Sequence, residues 1–492
     1  MFKSLEQVSK YKLLESILAT HEWYNFDCKR AKIKPRKLLE TAVAFANTDG
    51  GIIAIGVEDP EKAKDKDRLI GISEGVDNVT EFVKLLDKEI DPFLGEKQFY
   101  ELDIENVEGQ ADKILIIQVA KSQEVHSLKN GDTFVRKGDQ NIKIGNREIT
   151  RLKYEKGTIK FEAELTGIKS LEGFDKELFE QFKADNHSRS INDFQFLKDN
   201  GLAVQTNSGY ELTKGGVLLF DQNPSVRLGG KYGIKISHYY GTSQSFTKEP
   251  NFVRKPFTIE GSLLNQIQHA LDYFKDIVRL SPPKLDGAKF YPTILIPEWV
   301  FQEAVTNAVI HRNYSVQDDI HIRFFDDRIE IESPGSYPGF ITPLNIRTER
   351  YARNPLIQRT LNRFNASPNL DIGEGVDRMF EVMSQENLYE PLFFPSSLRP
   401  NSVLLVLLNQ QKISYWDTVS NYLDNNHQIT NADARRITGI QDTIKMSRIL
   451  KDWVDKKLLF KIQSGFKGNT LYRKHGVKDL DPFSGGNENG KG

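Results

Sequence analysis

Residues 297–311 read PEWVFQEAVTNAVIH, a strong helix, and the rest of the second half of the chain is read outward from it. On this helix Glu303, Asn307 and His311 stand at i, i+4 and i+8 and share one face. A solvated polar face carries charge more often than Asn and His, and a buried one needs partners. A nucleotide–Mg²⁺ complex supplies such partners. The Asn carbonyl oxygen is a hard ligand for Mg²⁺, and a Glu one turn earlier is placed to orient a hydrolytic water.

Downstream, DIHIRFFDD and RIEIESPG read as two strands joined by the turn chemistry of a hairpin. A loop rich in Arg, Pro and Asn follows. DIGEGVDRMFEVM (371–383) then sets Gly373 and Gly375 directly before a helix, and the strand SVLLVLLN closes the segment. Backbone amides at such a turn suit phosphate oxygens, while a plain helix cap accounts for the same glycines. The segment spans 291–409.

Before it, residues 172–290 read as a small connecting α/β domain, with helices at FDKELFEQFK and DFQFLKDNGL. The strand-like stretches VLLFD and GIKISHYYG follow, then a helix near 262–278. After it, 413–474 reads as three helices and a strand–turn–strand. ITNADARRITGI has a helix-turn-helix pattern around Gly439, TIKMSRILKDWVDKKLLFKI supplies a longer helix with a basic face, and KIQSGFKGNTLYRK reads as a hairpin wing. This is a winged-helix expectation, with Arg435, Arg436, Lys445, Arg448 and Lys451 as phosphate contacts if it binds nucleic acid; protein contact is the other use of such a domain. Residues 476–492, rich in Gly and Asn, read as a disordered tail.

The first segment, 1–155, mixes helix and strand. LLETAVAFANT (38–48) is helical and stops at Asp49-Gly50-Gly51, IIAIGVED follows as a buried strand, and ILIIQVAK (114–121) is another. In HEWYNFDCKR, Asp27 and Lys29 lie two apart on a strand and share a face with each other but not with Cys28, which is read as packed. With Glu22 and with Asp59, at the end of the next strand, they form the inventory of a metal-dependent phosphodiesterase. Carboxylates hold Mg²⁺ or Mn²⁺, the metal activates water, and lysine neutralises charge on phosphate. Surface carboxylates facing solvent are the bland account. Arg30, Lys32, Lys34, Arg36 and Lys37 follow at once, a solvated helix start or a phosphate-backbone contact, with Arg136 and Lys137 on the same surface. His126 reads as structural.

Two resemblances extend these readings. E-x3-N-A-x2-H, the hairpin ending in SPG and the later G-x-G resemble the divergent GHKL ATPases, in particular those that follow Schlafen AlbA-type domains; HRNY (311–314), ARNPLI (352–357) and GEGVDRM (373–379) belong to the same likeness. The resemblance implies an α/β sandwich that binds ATP. Glu303 would be the base-like carboxylate, Asn307 the Mg²⁺ ligand, Gly335 the base-pocket glycine, and Gly373 and Gly375 the phosphate lining. The lid would span 336–372, with Arg347, Arg350 and Arg353 meeting phosphate. Where the family has D-x-G, this chain has Ser333-Pro334-Gly335. The first ~145 residues resemble a Schlafen AlbA-type domain through E-x4-D-x-K, AFANTDGGIIAIGVED and TFVRKGDQN. That implies an RNA-cleaving site at Glu22, Asp27, Lys29 and Asp59, with Asp27 in place of the family's second Glu; the wider family also includes DNA-binding regulators.

The whole chain sets outer limits. Its 492 residues predict several domains, the net charge of −1 excludes a polybasic protein, and the single cysteine, Cys28, excludes an internal disulfide. No signal peptide or membrane span is read, which predicts a cytoplasmic protein. The expectation is an α/β (α+β) multidomain protein. Its leading reading is a metal-dependent nuclease, RNA favoured, controlled by ATP, and a role in phage defence suits the architecture. The alternatives are a non-catalytic, ATP-responsive DNA-binding regulator and an ATP-dependent scaffold. Pairing of such domains predicts a homo-oligomer, most simply a dimer.

Overall fold

The computed structural model describes residues 10–187, 192–245, 250–280, 284–286, 289–291, 294–368, 374–394, 399, 401–412, 415–455, 458–462 and 470–474. Gly373 and the 476–492 tail lie outside the described residues. The first helix, α1 (Lys10–Ala19), precedes strand β1 (Phe26–Lys29). Helix α2 (Pro35–Asn47) starts on a proline, whose missing amide hydrogen is no loss in a first turn, and presents Leu38, Leu39, Ala42 and Phe45 to the interior. The turn that follows it runs through Gly50, whose φ of +76° favours glycine. A Cβ there would lie 2.8 Å from the Lys121 backbone nitrogen.

Strands β2 (Gly51–Ile55), β3 (Lys97–Glu105) and β4 (Ala111–Val119) complete a sheet ordered β1-β2-β4-β3, in which β1 and β2 run parallel. The period of two divides its side chains. Ile53, Ile55 and Ile117 pack towards α2, whereas Phe26, Cys28, Ala54 and Ile116 pack on the other face with Leu13 and Ile17 of α1. Asp27 and Lys29 therefore fall on the α2 side, and Cys28 is packed away from them, as the alternation predicts. A hairpin, β5 (Thr133–Lys137) and β6 (Gln140–Ile144), packs beside α2, and α3 (Asn146–Lys156) leads out of the domain.

The expected boundary near residue 290 does not divide the structure. Strands β7 (Ile234–Tyr239) and β8 (Phe252–Ile259) share one six-stranded sheet with β9 (Ile320–Phe324), β10 (Arg328–Pro334), β11 (Leu392–Phe393) and β12 (Ser402–Leu408), in the order β8-β7-β9-β10-β12-β11. One apolar core runs from Phe161 to Leu407 beneath it. Helices α4 (Leu263–Leu280), α5 (Glu298–His311) and α6 (Gly375–Gln385) pack together, α5 against both others. The predicted β9–β10 hairpin forms with Ile322 opposite Ile331. VLLFD, read as strand-like, is instead part of a buried helix, Lys214–Phe220. The Thr213 hydroxyl accepts from the Gly216 amide at 3.2 Å and caps it, a local choice that a short apolar run does not announce.

Residues 411–492 form a second compact unit, distinct from 1–410. Its described part holds α7 (Tyr415–Asn426), α8 (Asn431–Thr438) and α9 (Thr443–Asp455). Its strands β13 (Ile429–Thr430), β14 (Leu459–Ile462) and β15 (Leu471–Lys474) are ordered β13-β15-β14. Thr430 and Asp433 form a reciprocal capping box at the start of α8, and Gly439 ends it at φ +71°. Val419, Leu423, Met446, Leu450 and Trp453 make a core of its own. Among the described residues no helix is long and apolar enough to cross a membrane.

Candidate functional site

Helix α5 is apolar on most sides. Val300, Phe301, Val305 and Val309 are buried in the core, while Glu303, Asn307 and His311 line a cavity of about 430 Å³. That volume suits a nucleotide-sized ligand. Asn307 donates from Nδ2 to Oε1 of Glu303 at 2.9 Å, so its carbonyl oxygen is left for another partner. Glu303 is 6% exposed, and burial pushes its carboxyl group above the ordinary carboxylate range.

The first turn of α6 closes against the same group. A Cβ on Gly375 would collide with the Glu303 carboxylate, so only glycine lets this helix N-terminus, with its unsatisfied amides, approach so closely. Arg347, Arg350 and Arg378 also line the cavity. Arg347 is paired with Asp377 at 2.6 Å, and the Arg378 guanidinium lies 4.4 Å from the Trp299 ring centroid. Ile331, Met379 and Leu405 supply apolar walls. An apolar cleft, a carboxylate–amide pair, a glycine-opened helix terminus and a rim of arginines fit a nucleoside triphosphate. The Asn307 carbonyl oxygen suits its magnesium ion.

Two expected residues sit differently. Gly335 has φ +99° and donates its amide to the Asn401 carbonyl at 2.8 Å; a Cβ there would strike Asn313 and Arg353. It lets those buried side chains pack, and Ser333 and Pro334 form the cavity wall instead. The Ser333 hydroxyl donates to the Ala308 carbonyl at 2.8 Å. Arg353 does not line the cavity. It is 3% exposed and donates to the carbonyls of Glu155, at 2.9 Å, and of Ser336. Burial pulls its guanidinium down to about 10. The motifs HRNY and ARNPLI are mutual supports: Asn354 Nδ2 donates to the carbonyls of Ile310 and Arg312 at 2.8 and 2.9 Å and fixes the end of α5. Glu162, not anticipated from the sequence, accepts the amides of Leu356 and Ile357 at 2.8 and 2.7 Å.

In the N-terminal domain the structure gathers three of the four expected residues. Lys29 Nζ lies 3.1 Å from both Glu22 Oε1 and Asp27 Oδ1. Burial raises the Glu22 carboxyl, with Asp27 adding to it. Burial opposes the Lys29 ammonium, yet the Asp27 and Glu22 carboxylates hold it above its ordinary value. Asp27, 1% exposed, also receives Arg136 at 2.9 Å and the Thr41 hydroxyl at 3.3 Å. Asp59 stands apart: it accepts the Glu61 amide at 2.9 Å and lies 4.0 Å from Lys62. Among the described residues no group of three His, Cys, Asp or Glu side chains is placed to hold a metal. As placed, Glu22, Asp27 and Asp59 do not form a three-ligand group: Lys29 and Arg136 both bond Oδ1 of Asp27, the Thr41 hydroxyl bonds Oδ2, and Asp59 makes its contacts with Glu61 and Lys62.

The basic surface is also altered. Arg136, expected at the surface, is 5% exposed and committed to Asp27, the Trp23 carbonyl and Asn141. Arg30 and Lys32 pair with Glu74, Arg36 with Asp132 and Lys37 with Glu40; of this stretch only Lys34 makes no ion pair among the described residues. The run is largely charge-compensated. His126 is structural, its Nδ1 lying 2.7 Å from the Pro92 carbonyl oxygen. In the C-terminal unit Arg435 is tied to Asn431 and the Gln441 carbonyl, and Arg436 to Asp433. Lys445, Arg448 and Lys451 are exposed on one side of α9.

Comparison with known proteins supports the two-part reading. Residues 22–145 match the family described as Schlafen, AlbA_2, and residues 317–406 match the one described as "Putative ATP-dependent DNA helicase recG C-terminal". The chain therefore joins a Schlafen AlbA_2 domain to an ATPase-like domain of the RecG-associated type. The second match begins after α5, so Glu303 and Asn307 precede it. No curated protein matches the chain. Among solved structures it is similar to the DIP2311 protein from Corynebacterium diphtheriae, at 18% identity and TM-score 0.40, covering 94% of this chain and 96% of that one. It is also similar to the N-terminal domain of a RecG-related protein from Nitrosomonas europaea, at 20% identity and TM-score 0.19, covering 24% of this chain and 75% of that one.

Proposed function

We propose that this chain is an ATP-responsive, nucleic-acid-binding regulator that does not cleave its nucleic acid. The observation that carries this reading is a contrast between two sites. Around Glu303, Asn307 and Gly375 the side chains leave a nucleotide-sized cavity with its polar groups turned to it. Around Asp27 the carboxylate is closed by Arg136 and Lys29, and Asp59 is absent from the cluster. The first arrangement leaves room for a ligand; the second is a salt-bridge network in which Asp27 and Arg136 are buried and Lys29 and Glu22 stand partly exposed at the edge.

In this reading Asn307 holds the magnesium ion, the α6 N-terminus at Gly375 and the rim arginines Arg347 and Arg350 hold phosphates, and Glu303 orients Asn307. Bound ATP supplies negative charge and bulk against the lid. The C-terminal unit acts as a winged helix, with α9 as the element that meets duplex DNA and Lys445, Arg448 and Lys451 on phosphates. The N-terminal domain contributes a second nucleic-acid surface around Lys34 and Lys137. A dimer would present two such sets to one duplex.

The test is calorimetric titration of the full chain with MgATP, followed by titration of a fluorescein-labelled DNA duplex with and without MgATP. Micromolar MgATP binding and a nucleotide-dependent duplex affinity support the reading. Absence of MgATP binding removes it.

A further inference from the structure

The nucleotide cavity and the N-terminal domain share a wall. Tyr337, Pro338 and Ile341 line the cavity on one side of the segment that follows β10. On its other side Lys121, just beyond β4, donates from Nζ to the carbonyls of Tyr337 and Ile341 at 3.1 and 3.0 Å. The same ammonium lies 3.4 Å from the Asp49 carboxylate. Asp49 stands in the α2–β2 turn, which packs on the Lys121 backbone through Gly50. From there the connection continues. The hydroxyl of Thr48, beside Asp49, accepts the Arg136 amide at 2.9 Å, and the Arg136 guanidinium holds Asp27. Thr41 of α2 reaches the same carboxylate.

We infer that Lys121 is a coupling residue: a clamp through which occupancy of the nucleotide cavity sets the position of the α2–β2 turn, and with it the nucleic-acid affinity of the N-terminal domain. The inference rests on the nucleotide-binding reading above and names the regulation of that site. Other contacts also cross this seam: Tyr351 bonds to the Lys156 carbonyl and to Gln123, Arg353 bonds to the Glu155 carbonyl, and Lys156 reaches the Ala46 carbonyl of α2. Among the described contacts Lys121 is the one that ties the Tyr337–Ile341 segment to the Asp49 carboxylate. A seam needed only for cohesion is served by apolar side chains, since a buried ammonium is costly. An ammonium shared between one carboxylate and two lid carbonyls has two arrangements available, held by both sides or by Asp49 alone, and a two-state element is what coupling requires. By linkage the effect is reciprocal: duplex binding changes MgATP affinity by the same factor.

The experiment compares wild type with Lys121→Met and with Asp49→Asn/Lys121→Met. The double variant removes the charge that the single variant would leave unpaired. MgATP affinity is measured by calorimetry, with and without saturating DNA duplex. The expected wild-type shift is about fivefold or more. Both variants are expected to keep MgATP affinity within about twofold while the shift disappears. A wild-type-sized shift in either folded variant overturns the inference. So does a wild type that binds both MgATP and duplex with no mutual effect. A wild type that binds no MgATP overturns the nucleotide reading itself, which is a different result. Hydrogen exchange gives a readout without mutation: MgATP is expected to change protection at residues 46–52 of wild type, and unchanged protection there counts against the clamp.

Discussion

Asn307 donates its side-chain amide to Glu303 at 2.9 Å, and this pair faces the cavity from one turn of a single helix. The orientation of the amide is thereby fixed, nitrogen to the carboxylate and oxygen outward. Replacing Asn307 by Ala removes the oxygen, and a Cβ on Gly375 pushes into the carboxylate. Both Asn307→Ala and Gly375→Ala are expected to weaken MgATP binding at least tenfold, about 1.4 kcal/mol or more, in calorimetry. Affinity unchanged in both variants would place the nucleotide elsewhere.

Ser333 commits its hydrogen to the Ala308 carbonyl at 2.8 Å, so it offers the cavity only lone pairs. Such an acceptor suits an exocyclic amino group and repels a carbonyl oxygen. ATP is expected to bind roughly tenfold tighter than ITP, and Ser333→Ala to narrow that ratio. Competition titration of the two nucleotides reads the ratio directly. Equal affinities in the wild type would show that Ser333 does not read the base.

Asp27 is buried beneath two cations, Lys29 at 3.1 Å and Arg136 at 2.9 Å. Removing Asp27 leaves the buried Arg136 guanidinium without its carboxylate, while Lys29 keeps Glu22; breaking such a buried pair costs about 3–5 kcal/mol. Asp27→Ala is therefore expected to lower the unfolding midpoint of the N-terminal domain sharply, which urea titration will measure. A variant as stable as wild type would mean that the carboxylate is free to serve chemistry.

Glu162 is 1% exposed, and burial raises its carboxyl from 4.5 to about 6 despite two amide donors. The folded state then holds the proton more tightly than the unfolded one. The stabilisation is complete below pH 4.5 and is lost as pH rises through 6, about 2 kcal/mol in all. Glu162→Gln should flatten this part of the stability–pH curve. Parallel curves for the two proteins would contradict the assignment.

The fold was legible wherever periodicity and punctuation agreed. The α5 stripe, the β9–β10 hairpin and the stop of α2 at Asp49-Gly50-Gly51 follow from spacing and turn chemistry alone. Sharing of one sheet by β7 and β9 was not legible, because strand partners 86 residues apart leave no local trace (Ile234 pairs with Ile320). At the α5 cavity the face of Glu303, Asn307 and His311 was readable from the helical period. The burial of Arg353, and the use of Gly335 to admit it, depends on contacts between distant segments. The acidic cluster shows the same limit. Alternation correctly set Asp27 and Lys29 on one face, but it carried no sign that Arg136 would arrive from β5 to occupy it, or that Asp59 would turn towards Lys62.

The most direct test of the central claim is incubation of the full chain with end-labelled RNA and DNA, single-stranded and duplex, in Mg²⁺ and in Mn²⁺, with and without ATP. Each sample is run on native and denaturing gels. The account predicts intact strands on the denaturing gel and a duplex shift on the native gel that changes with ATP. Cut strands that require Glu22 and Lys29 would contradict it and establish the nuclease instead.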